Sequence, residues 1–160
     1  MHKRAFIALG VIFLILFFSF SAYAFDTALL DMRNKIFEQS KEIKSLIVNS
    51  KDVVLINNMW DSCIMTMTQI DAYFYMIGIF NTIKKEELSD ASVNYLISWL
   101  NEIKKTNELN IISLNTATQI NEVNTRVYVV KLKNYFGELN NKIDAELNKV
   151  NLLKRSLTTK

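Results

Sequence analysis

Apolar positions recur at intervals of three and four along most of the chain. That spacing marks one face of an α-helix, because a helix brings side chains back to the same side every three to four residues. Four such stretches follow one another. The first predicts a helix from about Asp26, a suitable N-cap, to Asn49. Leu29, Met32, Ile36, Ile43 and Leu46/Ile47 form its apolar stripe, and Arg33, Lys35, Glu38, Lys41, Glu42 and Lys44 its wet side.

The second stretch, from about Asp52 to Ile83, is far more apolar. Ile56, Met59, Trp60, Cys63, Met67, Ile70, Phe74, Ile77 and Phe80 make its main stripe. Val53, Ile64, Met65, Tyr73, Tyr75, Met76 and Ile79 widen that stripe to most of the circumference. A helix apolar nearly all round is central in a bundle or faces a partner. Asp61, Gln69 and Asp71 speak against a membrane-spanning segment.

The third stretch begins near Ser89 or Asp90, with Val93, Leu96/Ile97, Leu100 and Ile103 on its inner face. Continuing the stripe through Ile111 and Leu114 puts its end at Asn115-Thr116; the alternative is a turn within Lys104 to Asn107. The fourth runs from about Thr118 to Leu157, about 60 Å of helix. That length predicts a C-terminal end that projects beyond the bundle or packs on another copy.

The chain has no proline, and after residue 24 only Gly78 and Gly137 break the pattern. Sandwiches and barrels need turn residues every 8–12 positions. The expected fold is therefore all-α, an up-and-down four-helix bundle with a long last helix. A three-helix bundle with a very long last helix is the alternative.

The N-terminus has a different pattern. Met1-His2-Lys3-Arg4 is basic, Ala5 to Phe20 is apolar apart from Gly10 and Ser19, and Ala22-Tyr23-Ala24 places small residues at an A-x-A cleavage site. Together these predict a secretory signal peptide over residues 1–24 and a single helical domain over 25–160. An uncleaved anchor is the rival, since about 21 apolar residues suffice to span a bilayer. Either way residues 25–160 lie outside the cytoplasm. The expected location is the bacterial periplasm; full secretion or inner-membrane anchoring are the alternatives. Membrane contact is expected only if the segment stays uncleaved.

Charge and chemistry narrow the function further. The chain has 19 basic and 16 acidic residues; without Lys3 and Arg4 the balance is 17 to 16, a net charge of +1. A near-neutral domain argues against a nucleic-acid partner. Cys63 is the only cysteine and His2 the only histidine, so the predicted mature chain has neither an internal disulfide nor a histidine base. Asp61 and Asp71 stand about 15 Å apart along one helix, too far to act on one bond. No enzyme activity, cofactor or resident metal site is expected.

Two positive expectations follow. The first is an exported structural, adaptor or secretion-accessory protein acting by protein contact or self-association. Trp60, Tyr73 and Tyr75 are its candidate interface residues. Tyr73 and Tyr75 lie 200° apart on a helix, so only one of them can face outward. Asp71 and Cys63 are expected as buried polar groups, Asp71 paired with a base or hydrogen-bonded by a neighbouring helix, Cys63 inert in the core. The second expectation is a carrier of an apolar ligand or Cu(I) between the helices. It rests on the aromatic cluster and on Met59, Cys63 and Met67 at i, i+4 and i+8.

Overall fold

A computed structural model of the chain describes residues 27–48, 50–84, 87–117 and 120–158. The predicted signal segment, its cleavage site and the Asp26 cap lie outside them. Four helices make up the fold: α1 (Thr27–Ser45), α2 (Val53–Phe80), α3 (Asp90–Thr116) and α4 (Val123–Thr158). No strand occurs among the described residues. The all-α four-helix fold is thus the one the periodicity predicts, and the alternative with a single helix pair before a very long last helix is excluded. The stripe of α3 does continue through Leu114, with no turn at 104–107.

Each helix packs on the next in sequence, and α4 closes the ring against α1; α2 and α4 meet only narrowly across the diagonal. Side-chain bonds fix the directions. Arg33 meets Asp71 and Lys44 lies over Trp60, so one number falls as the other rises and α1 runs antiparallel to α2. Ser62 with Asn110 and Gln69 with Thr106 do the same for α2 and α3, and Lys104 with Asp144 and Asn107 with Asn140 for α3 and α4.

The core is one continuous cluster drawn from all four stripes. Ile36, Ile43, Ile56, Met59, Leu100, Leu132, Phe136, Leu139 and Ile143 are completely buried within it. Removing a side chain of this size from water stabilises by about 1.5–3 kcal/mol, which is what holds helices with modest intrinsic propensity together.

The last helix corrects two expectations. It starts at Val123 rather than near residue 118; just ahead of that start the Asp52 carboxylate, from before α2, accepts from the backbone N–H groups of Asn121 and Glu122. It also does not overhang the bundle at its C-terminal end. Lys104 faces Asp144, and Asp90 precedes Lys104 by the same number of residues as Thr158 follows Asp144. α3 and α4 therefore end level, and Val150 is buried inside the chain rather than presented to a second copy. The extra length of α4 is at its N-terminal end, beside the start of α2.

Candidate interaction surface

The inner side of α2 carries a file of polar groups between α2 and α3. Thr66 and Asn107 are fully buried. The Thr66 hydroxyl donates to the Asn107 side-chain oxygen (3.2 Å), and the Asn107 amide donates to Asn140 on α4 (3.2 Å). Ser62 donates to Asn110 (3.2 Å), Gln69 to Thr106 (3.2 Å), and the Trp99 indole N–H to the Gln69 carbonyl (2.9 Å). Hydrogen-bonded polar groups in a core fix register, because a slip of one turn would leave them unpaired.

Tyr73 and Tyr75 point opposite ways, as their spacing requires. Tyr73 is buried, and its hydroxyl donates to Glu146 on α4 (2.8 Å). It is core and cannot be the interface residue expected of it. Tyr75 is 74% exposed. Trp60 is half-buried, its ring covered by the Lys44 ammonium at 4.9 Å.

Asp71 is not buried. It sits at the α1–α2 edge, where Arg33 donates two hydrogen bonds to it, Nε at 3.0 Å and Nη2 at 2.9 Å. The expected pairing with a neighbouring helix is present, but at the solvent-facing margin, because the stripe surrounding Asp71 in sequence faces inward while Asp71 does not. The bond to Asp71 raises the Arg33 pKa above its ordinary value. Cys63 is fully buried, and burial pushes its thiol up to about 12. Met59 and Met67 are buried on the same side of α2, so the sulfur row exists as spacing predicts. A thiol held this far from ionisation opposes thiolate ligation.

The structure also shows a carboxylate that the sequence reading treated only as the start of a helix. Asp52 precedes α2, yet its side chain makes no cap for α2. Instead Oδ1 accepts from the Asn121 backbone N–H (3.0 Å) and side-chain amide (2.7 Å), and Oδ2 from the Glu122 N–H (3.0 Å). Asp52 thus caps α4 from another helix. The Asn121 backbone bond, with further bonds from the Asn121 side chain and the Glu122 N–H, holds the Asp52 carboxyl below the usual carboxylate range against the opposing effect of burial.

Between α1 and α4 runs an open groove of about 560 Å³ with Lys35, Glu38, Glu42, Lys131, Tyr135 and Glu138 among its lining residues. Lys35–Glu138 (3.1 Å) and Lys131–Glu42 (3.9 Å) bridge it. Opposite charges already paired across a wet groove leave no single-sign field for a charged ligand. No cluster of three or more His, Cys, Asp or Glu side chains suited to a metal ion occurs among the described residues.

The outer side of α2 is the more unusual surface. In 28 residues α2 has two charges, Asp61 and Asp71, and no basic residue. Its solvent side presents Val54, Ile64, Met65, Tyr75 and Ile79. The helix is also long and apolar enough to cross a membrane by length and composition, the only one of which this holds among the described residues. Its inner side is nevertheless occupied by the bundle. Compared with protein-family models, curated proteins and solved structures, the chain matches none of them.

Proposed function

We propose that this chain is an exported, non-enzymatic helical-bundle protein of the bacterial cell envelope that acts by protein–protein contact, with the outer side of α2 as its contact surface. The observation that carries this reading is the outward Met65, Tyr75 and Ile79 on a helix almost without charge. Exposed helix faces of soluble domains are normally rich in Lys, Arg, Asp and Glu, whereas contiguous exposed apolar surface marks an interaction site. Tyr75, 74% exposed, is the aromatic on this surface, of the type that anchors interfaces. The reading of an exported protein rests on the basic, apolar and small-residue segments of residues 1–24.

The test is made in cells. A photoreactive amino acid replaces Tyr75, and as a control Lys105 on the exposed side of α3. Cross-linked protein products from position 75 alone, on a chain recovered outside the cytoplasm with Phe25 as its first residue, support the reading. A chain retained in the cytoplasm, or no product from position 75, overturns it.

A further inference from the structure

The exposed positions of α2 follow a second regularity, distinct from the stripe that faces the core. Val54, Asn58, Asp61, Met65, Thr68, Ala72, Tyr75 and Ile79 are separated by alternating steps of four and three, and all face outward, with Ala72 half-buried. That is the spacing of a coiled-coil seam, and here it lies on the side of α2 away from the bundle. The series is also symmetric: read from either end, the steps are the same. An antiparallel copy of α2 therefore brings every seam position onto another seam position.

From this we infer that the partner is a second copy of this chain, joined antiparallel through the outer seam of α2; the inference rests on the contact surface proposed above. The pairings are chemically consistent. Val54 falls opposite Ile79 of the partner subunit, apolar on apolar. Asn58 falls opposite Tyr75 of the partner subunit, an amide within reach of a phenol. Met65 falls opposite Thr68 of the partner subunit, and the Thr68 hydroxyl already donates to the Ile64 carbonyl of its own helix (2.9 Å), so its burial strands no donor. Asp61 falls opposite the small Ala72 of the partner subunit, which leaves it room to stay hydrated.

Charge decides the direction. In a parallel pair Asp61 would face Asp61 of the partner subunit with no base on either helix to offset it, whereas the antiparallel pair separates the two Asp61 carboxylates by about 16 Å along the axis and brings each near Asp71 of the partner subunit, a carboxylate already paired with an Arg33 guanidinium. The apolar side chains supply most of the area such a contact needs. From their fractional exposure, Val54, Ile64, Met65, Tyr75 and Ile79 present roughly 600 Å², to which the exposed Asn58, Asp61 and Thr68 of the seam add. A standard stable interface takes about 800 Å² from each partner.

The experiment uses the full chain as recovered after export. Sedimentation across a dilution series is expected to show a dimer that Met65→Lys and Tyr75→Lys each weaken at least tenfold. Both positions are exposed, so circular dichroism should report unchanged helix content, and each variant serves as a check on the other. Val54→Cys and Ile79→Cys chains are then treated with a short thiol cross-linker, separately and mixed; the buried native Cys63 stays silent. A covalent dimer in the mixture alone is the expected result. Self-cross-linking of Ile79→Cys by itself indicates a parallel pair and overturns the inference. So does a dimer indifferent to both lysine variants, or a monomer at every concentration. If the chain is a monomer but position 75 still cross-links in cells to a protein of another mass, this inference fails while the proposed contact surface stands.

Discussion

Asp52 and Glu122 each bind the backbone that precedes the other's helix. The Glu122 N–H donates to Asp52 Oδ2 (3.0 Å), and the Lys51 N–H donates to Glu122 Oε1 (2.7 Å). Two helix starts that are far apart in sequence are thereby clasped side by side at one end of the bundle. Both are positive dipole ends, which favours carboxylates there. Asp52→Ala should lower the melting temperature by several degrees and speed amide exchange in the first turn of α4 before anywhere else. Unchanged exchange at Asn121 to Arg126 would show that the clasp contributes nothing.

The same carboxylate predicts a pH dependence. Its folded pKa lies below its ordinary value of 3.8, so the folded state binds this proton less tightly than the unfolded chain does. The contribution is fully present above that ordinary value and is lost as the pH falls through the lower, folded pKa. The stability gap between the wild type and Asp52→Asn should be constant near neutrality and shrink below about pH 4. Parallel pH profiles of chemical denaturation check this, and a gap that widens on acidification contradicts it.

Cys63 is predicted to be inert in the native chain. With the thiol at about 12 and fully buried, thiolate is scarce at pH 8 and reagent has no access. An aromatic disulfide reagent should react only on unfolding, at the rate of global opening. Because the unfolded thiol ionises near 9 and the folded one near 12, stability should also fall as the pH rises through that interval. Rapid labelling of the native chain would place the thiol at the surface.

The helices were legible from the sequence because each hides one stripe in a common core, and period alone reveals a stripe. Tyr73 and Tyr75 show where that legibility stops. Their spacing puts them on opposite sides, but which one faces inward depends on where the neighbouring helices stand. Asp71 illustrates the same limit: apolar neighbours in sequence suggest burial, yet the helix turns it to the margin, where Arg33 reaches it. The clasp of Asp52 was not readable, since a cap acting on another helix has no local spacing. The outer seam was hidden for a different reason. Helix α2 is apolar on both sides, so its two stripes overlap in the sequence, and only the burial of one isolates the other.

The Arg33–Asp71 pair should contribute little despite its two good bonds. Both side chains keep solvent access, 27% and 49%, so water screens the attraction and side-chain ordering opposes it. A double-mutant cycle with Arg33→Met and Asp71→Asn should give a coupling of about 0.5–1 kcal/mol that declines in high salt. A coupling above about 3 kcal/mol would place the pair in a far drier setting than the structure describes.

Asn107 should be the most sensitive polar position in the chain. It is fully buried, accepts from Thr66 and donates to Asn140, so it links α2, α3 and α4 at one level. Asn107→Ala leaves a cavity and removes the partner of a buried Thr66 hydroxyl, with an expected cost of about 2–4 kcal/mol. Asn107→Leu keeps the volume but still strands Thr66. Adding Thr66→Val to it removes the stranded hydroxyl and should recover about 1–2 kcal/mol. That recovery separates an unsatisfied donor from a simple packing defect. If Thr66→Val gives the same change with and without Asn107→Leu, the two residues are uncoupled, and packing alone sets the register of α2 against α3.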